Sequence, residues 1–104
     1  MSTKTNYTSG PWAVMPEEVD RDYIRIRGTI IGTRHKIANV CCIKQDGKVV
    51  QRETDEARAN ARLIASAPEL LLVLETLMES EPQVPSRIRD WALSVISKAK
   101  GELK

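Results

Sequence analysis

The first half of the chain alternates between apolar and polar positions, which is the period of β-strands. Residues 23–27 (YIRIR) place isoleucines on one face and a tyrosine and arginines on the other, so we predict a half-buried strand. Ile30 and Ile31 continue this strand beyond Gly28, and a glycine within a strand indicates a bulge or a close backbone approach. Residues 32–35 then form a turn.

Two further segments read as strands. Residues 12–15 form a short one bounded by Pro11 and Pro16, which places it at a sheet edge, because proline cannot donate to a ladder. Residues 37–43 form a longer one whose odd-numbered positions share one face and whose even-numbered positions share the other.

Asp46-Gly47 predicts a tight hairpin, because the favoured two-residue turn needs positive φ at both positions. Residues 48–51 would be the returning strand. The sheet therefore occupies about residues 11–52 as an antiparallel meander of three to four strands.

The second half changes to the helical period. Thr54 is the predicted N-cap of a first helix over about 54–66, with Asp55 and Glu56 in its first turn. A stripe of small and apolar residues on this helix favours close packing on the sheet. Its members are Ala57, Ala61, Ile64 and Ala65.

Pro68 predicts a break after the first helix, and Ser66 to Glu69 fits a capping box that starts a second helix over 67–80. A third helix over about 86–101 carries an apolar stripe that could pack on the second helix or on a second copy of the chain. Its candidates for self-association are Ile88, Trp91 and Val95. The fold class is α+β: the meander, followed by two or three α-helices packed on one face. Residues 10–104 form a single domain after a flexible N-terminal arm, 1–9.

Composition fits a globular protein, with 41% apolar and 29% charged residues. The N-terminus has no apolar stretch of the kind found in signal peptides, and no run is long enough for a membrane span. Charge is uneven. Residues 21–52 carry eight Lys or Arg against two acids, whereas residues 53–81 carry seven acids against two Arg. Either the two regions attract each other within the fold, or the basic one faces an anionic partner.

Catalytic groups are few. His35 is the single histidine, and Cys41 and Cys42 are adjacent, so on a strand they point to opposite faces and do not bond to each other. We find no metal-ligand spacing, phosphate loop or nucleophile elbow. The acidic pairs Glu17-Glu18 and Asp55-Glu56 lie at element ends. The sequence therefore predicts no enzyme, no cofactor and no metal.

Candidate binding residues form two sets. The first is a basic sheet face with an aromatic, which could hold a partner protein or an anion such as single-stranded nucleic acid. Its candidates are Tyr23, Arg25, Arg27, Arg34, Lys36, Arg58 and Arg62. The second set is Asn39 and Asn60, each a polar residue in an otherwise apolar pattern. These asparagines either satisfy structural hydrogen bonds, as a buried pair if they face each other, or contact a ligand.

Three segments carry a family resemblance: Gly10-Pro11-Trp12, residues 36–40 (KIANV), and residues 59–71 (ANARLIASAPELL). Over about residues 10–77 the chain resembles a group of small phage and prophage proteins. The resemblance implies a phage or prophage origin. Because the sequence shows neither a signal peptide nor a membrane span, we expect a location in the cytoplasm of a bacterial host cell and no membrane partner.

By analogy with small phage accessory proteins, the resemblance also implies a host-directed or anti-defence inhibitor or adaptor, which binds a host or phage protein and is not an enzyme. A homodimer is a further expected partner. The alternative is an anion-binding module for nucleic acid or a nucleotide signal, which would use the basic sheet.

Overall fold

A computed structural model describes residues 7–18, 21–30, 35–42, 44–45, 48–49 and 51–102, with only the backbone described at 44–45, 48–49 and 51–53. Within these ranges the chain forms an antiparallel three-stranded sheet, a separate two-stranded ribbon and three helices. The α+β class is confirmed. The predicted arm falls mainly on residues 1–6, which lie outside the described residues.

The sheet has the order β1-β2-β3, with β1 at Trp12–Val14, β2 at Tyr23–Gly28 and β3 at Lys36–Cys41. The edge position predicted for β1 is confirmed. The ribbon pairs β4 (Lys44–Gln45) with β5 (Lys48–Val49), as expected for a two-residue hairpin, although the predicted turn residues 46–47 lie outside the described residues.

Strand β2 ends at Gly28, so the predicted continuation through Ile30 is wrong. The turn predicted over 32–35 falls largely on residues 31–34, which are not described. In the pairing of β2 with β3, Ile26 lies opposite Ala38 and Arg27 lies opposite Lys36, so the register skips Ile37. The irregularity that Gly28 suggested therefore lies on the neighbouring strand.

The helices are α1 (Gln51–Ala65), α2 (Ala67–Ser80) and α3 (Ser86–Ala99). Helix α1 begins three residues before Thr54, so the N-cap prediction for Thr54 and the extension of the last strand to residue 51 are both wrong. Thr54 lies inside the helix and is only 4% exposed. The capping box predicted at Ser66 for the start of α2 is also wrong. The Ser66 hydroxyl instead donates to the Arg62 carbonyl at 2.9 Å, in the last turn of α1.

The chain divides into two compact units, one spanning Thr8–Pro68 and the other containing the helical segment from Glu69 onward. The core of the first unit joins Ile24 and Ile26 of β2 to Ala57 and Ala61 of α1, which are all buried. The three alanines of the predicted stripe therefore pack on the sheet, whereas Ile64, its fourth member, is 37% exposed and the prediction is wrong for it. That residues 10–104 form one domain stays a prediction.

The second unit is a helical hairpin: residues 81–85 alone separate α2 from α3, and helices joined by so short a loop run antiparallel. Arg89, early in α3, donates to the carbonyl of Met78, late in α2, at 2.8 Å. Glu75 and Lys100 form an ion pair at 3.0 Å. The buried residues of this unit are Met78, Ala92 and Ile96, with Leu71, Leu74 and Val84 packed against them.

Helix α3 ends in a Schellman motif. Gly101 has a φ of 78°, and its N–H donates to the Lys98 carbonyl at 3.1 Å. The Glu102 N–H reaches back to the Ser97 carbonyl at 2.8 Å. Glycine suits this position because the left-handed conformation costs it nothing.

Candidate functional site

The sheet has two chemically different faces. Helix α1 covers the face that carries Ile24 and Ile26. The residues between them point the other way, because successive side chains on a strand alternate. We call this second side the polar face. Its members are Tyr23, Arg25, Arg27, Lys36, Asn39 and Cys41, all partly or fully exposed, with Tyr23 opposite Cys41, Arg25 opposite Asn39, and Arg27 opposite Lys36.

A network of charged side chains orders one end of the polar face. Glu18, just after β1, forms an ion pair with Arg25 at 2.8 Å and with Arg21 at 3.4 Å. Arg25 also donates to the Pro16 carbonyl at 3.3 Å. The Arg21 guanidinium lies 5.6 Å from the centre of the Tyr23 ring and donates to the tyrosine hydroxyl. The Glu18 carboxylate thus pairs with Arg21 and Arg25, and Arg21 in turn contacts the ring and the hydroxyl of Tyr23.

Arg58 has its own carboxylates on the helix side of the sheet. Its guanidinium binds both oxygens of Glu17, at 2.7 and 2.9 Å, and one oxygen of Asp55 at 2.9 Å. The hydrogen bond from Arg58 lowers the pKa of Glu17, and the same bond is the main reason that the pKa of Arg58 is raised. This bidentate geometry is the strong form of an arginine–carboxylate pair.

The seven predicted partner or anion contacts therefore do not form one patch. Tyr23, Arg25, Arg27 and Lys36 share the polar face. Arg58 and Arg62 project from α1, which lies on the opposite face, and Arg34 lies outside the described residues.

The prediction of a buried Asn39–Asn60 pair is wrong, because both asparagines are exposed. Asn39 lies on the polar face opposite Arg25, while its neighbours Ala38 and Val40 pack against the core. Asn60 precedes the buried Ala61 by one residue, which turns it about 100° away from the sheet. Asn39 stays a candidate ligand contact, now on the polar face.

The two cysteines point to opposite sides, as predicted. Cys41 is exposed on the polar face, and Cys42 is partly buried against the core; both are free thiols. Burial raises the pKa of the Cys42 thiol, and the nearby charge of Glu17 adds to the effect. His35 is exposed, with its Nδ1 3.3 Å from the Gly28 carbonyl oxygen. In the described ranges, His, Cys, Asp and Glu nowhere form a group of three that could hold a metal.

Sequence reasoning missed Glu17, Glu18 and Arg21 as parts of the site. It treated the two glutamates as solvent-exposed carboxylates at an element end. The available signal was an adjacent acidic pair in the short segment between β1 and the arginine-bearing β2. Across the described residues, no helix is both long and apolar enough to cross a membrane.

A family model described as Salmonella phage P22 protein Y8K6 matches residues 1–103. The chain belongs to this phage protein family. No curated protein and no solved structure matches it significantly. The family description gives an origin and no activity, so any function for this member of the P22 Y8K6 family rests on its geometry.

In this P22 Y8K6 family member, the three segments that resemble small phage and prophage proteins mainly build the core. A Cβ added at Gly10 would lie 2.8 Å from the Cβ of Pro68, so only glycine fits against that ring. Trp12 packs against the core and donates to the Thr8 carbonyl at 3.0 Å. Ala38 and Ala61 belong to the sheet–helix contact. These segments therefore contribute mainly to the core, although Lys36 and Asn39 within them lie on the polar face.

Proposed function

We propose that this phage protein is a non-enzymatic binding protein that uses the polar face to bind a host or phage protein. Its role is that of a host-directed or anti-defence inhibitor or adaptor. The observation that carries the proposal is the network in which Glu18 holds Arg25 and Arg21, and Arg21 holds the ring of Tyr23.

This arrangement suits a protein partner for two reasons. Tyrosine and arginine are the side chains enriched at the energetic centres of protein interfaces. Side chains that are already held in place lose less conformational freedom on binding, so more of the contact energy appears as affinity. Asn39, opposite Arg25 on β3, and Arg27, two residues along β2, extend the same face and supply further hydrogen-bonding groups.

Anion binding is the second candidate, and the ion pairs weigh against it. Arg25 is neutralised by Glu18 and Arg58 by Glu17, so a phosphate would have to displace a carboxylate at each site. The observation in its favour is that Arg27 and Lys36 lie opposite each other at the other end of the polar face. Phosphate contacts would make such binding steeply dependent on salt.

The test is a pull-down of the tagged protein from host lysate, with nuclease-treated and high-salt arms. Tyr23→Ala and Arg27→Glu alter the polar face, and Arg62→Glu makes the same charge change on the helix side. We expect a stoichiometric host protein that survives both arms, is retained by Arg62→Glu and is lost with the two polar-face variants.

Two results would reject the proposal. If all three variants retain the host protein equally, the polar face is not the contact. If nucleic acid or a small absorbing ligand is bound instead, and is lost at high salt and in Arg27→Glu, the protein is an anion-binding module.

A further inference from the structure

The helical unit exposes a set of large apolar side chains beside its small core. Each is between 42% and 68% exposed. They are Leu70, Val73 and Leu77 on α2, and Ile88, Trp91 and Val95 on α3. Exposed single hydrophobic residues are ordinary, but a contiguous apolar patch marks an interaction surface.

Helix geometry makes this set one continuous face. On α2 the exposed residues directly precede the core positions 71, 74 and 78, and on α3 Trp91 and Val95 directly precede the buried Ala92 and Ile96. On both helices the exposed residues are therefore rotated by about 100° from the core positions, and the rotation has the same direction when each helix is viewed from its N-terminus. We call these exposed residues the apolar flank of each helix. Because α2 and α3 run antiparallel, equal turns bring both flanks to the same side. We call this side the hairpin face.

The opposite side of the same helix pair is different in character. It carries the ion pair between Glu75 and Lys100, whose nitrogen–oxygen distance is 3.0 Å. Leu93 is also on that side. It follows the buried Ala92 by one residue, whereas Val95 precedes the buried Ile96 by one, so the two are rotated from the core in opposite directions. Leu72, which is 62% exposed, lies there too, because it follows Leu71 by one residue. The hairpin face thus carries six of the eight large exposed apolar side chains of α2 and α3.

We propose that the hairpin face binds the hairpin face of a second copy of this chain, so that two helix pairs form a symmetric four-helix bundle. The core of one pair holds only three buried residues among those described, Met78, Ala92 and Ile96. Stacking two pairs face to face encloses both apolar flanks and builds the layered core of a bundle. A two-fold dimer needs a surface that is complementary to itself, and an apolar face meets that need.

Charges at the rim select one arrangement of the two copies. Glu69, at the start of α2, lies one turn before Val73 on the same flank, and Lys98, near the end of α3, lies one turn after Val95. Both are exposed. If α2 lies along α3 of the second copy, antiparallel order brings Glu69 to Lys98 of that copy. Opposite charges then meet on both α2–α3 contacts of the two-fold interface, at the same end of the bundle.

The other symmetric arrangement pairs α3 with α3. Antiparallel order would then bring Arg87, exposed at the start of α3, to Lys98 of the second copy. Like charges would meet twice across that contact, which disfavours it. The structure therefore assigns the two-fold axis to the direction of the helices, with α2 against α3.

The size of the face predicts a reversible dimer. Each helix has 14 residues and is about 21 Å long, since the rise is about 1.5 Å per residue. Two helices about 8–10 Å apart give a footprint roughly 20 Å wide, on the order of 400 Å². Stable specific interfaces bury about 800 Å² per partner, so the dimer lies at the weak end and dissociates on dilution.

Sedimentation equilibrium of the full chain over a range of concentrations tests the proposal. Val95→Arg introduces a charge into the hairpin face, and Leu93→Arg makes the same change at a matched position, since Val95 is 42% and Leu93 45% exposed. We expect Val95→Arg to weaken the dimer by about tenfold or more, the effect of losing a buried anchor, and Leu93→Arg to leave it unchanged.

A charge exchange tests the arrangement separately. Glu69→Lys and Lys98→Glu should each weaken the dimer several-fold, and the double variant should restore it, because the pair is reversed and kept. Arg27→Glu on the polar face should stay dimeric, which separates this proposal from the proposed function. Circular dichroism confirms that each variant keeps its helices.

Three outcomes would overturn the proposal: a monomer at every concentration, equal disruption by Leu93→Arg, or a double charge variant as weak as the singles. The first outcome, combined with loss of a captured host protein in Val95→Arg, would assign the hairpin face to that host protein instead.

Discussion

Replacing Ile26 with alanine is the most direct test of how the sheet and α1 are held together. Ile26 is the central apolar residue of β2 and is 0% exposed. Its strand is hydrogen-bonded on both sides, to β1 and to β3, and α1 covers it through Ala57 and Ala61. The substitution removes three carbon atoms from a place that water does not reach.

The expected loss comes from transfer and from the cavity that remains. Ile→Ala substitutions in cores cost about 2–5 kcal/mol, more where the surroundings cannot collapse. Here the residues that cover Ile26 from α1 are alanines, which have no longer rotamer to fill the space, and the backbone is fixed by two neighbouring strands. We therefore expect a decrease of about 3–5 kcal/mol in the free energy of unfolding, a large share of the roughly 5–15 kcal/mol typical of whole domains.

Urea denaturation followed by circular dichroism and tryptophan fluorescence measures this loss, because Trp12 packs against the same core. Ile30→Ala is the control: Ile30 is 41% exposed and lies outside the strand, so we expect a loss of less than about 0.5 kcal/mol. If Ile26→Ala lowers the free energy of unfolding by less than about 1.5 kcal/mol, with an unchanged denaturant slope, the surroundings of Ile26 can collapse into the space and the reasoning is refuted.

Two further predictions follow from the perturbed groups. Because Arg58 lowers the pKa of Glu17, the stability from this pair is fully present above the ordinary glutamate value of 4.5 and is lost as the pH falls through the lowered pKa. Glu17→Gln should therefore flatten the acid side of a stability–pH profile while Glu56→Gln does not, and equal profiles would contradict the pairing. For the cysteines, iodoacetamide labelling followed by mass spectrometry should modify exposed Cys41 well before Cys42, whose pKa is raised by burial. Equal rates would mean that Cys42 is not shielded.

The pattern of the sequence predicts the main elements because they follow local periods. The alternation at residues 23–27 and the alanines at 57 and 61 locate both sides of the sheet–helix contact, and the structure confirms them. The start of α1 was missed because Thr54 is a strong capping residue in isolation. In the fold its side chain faces inward, and the helix extends back to Gln51.

The candidate site could be predicted less well from the sequence. Periodicity does not show which face of the sheet a helix covers, nor which distant residues form ion pairs. Alternation divides β3 into two faces but does not say which one α1 covers, so Asn39 could be placed on either. The ion pairs of Glu17 and Glu18 join residues up to 41 positions apart, and a single sequence carries no record of such contacts. Only the packing of α1 separates Arg58 and Arg62 from the polar face.

The adjacent glutamates after β1 have a consequence for how the chain can change length. Glu17 binds Arg58 on the helix side and Glu18 binds Arg25 on the other side, so the two faces of the sheet are tied by neighbouring residues. Residues 15–18 lie outside the strands, so the length of this segment sets where the two carboxylates meet Arg25 on β2 and Arg58 on α1. Inserting one residue between Val14 and Glu17 would shift both carboxylates away from these arginines. Natural relatives should therefore accept substitutions at residues 15–16 far more readily than a single-residue insertion or deletion there.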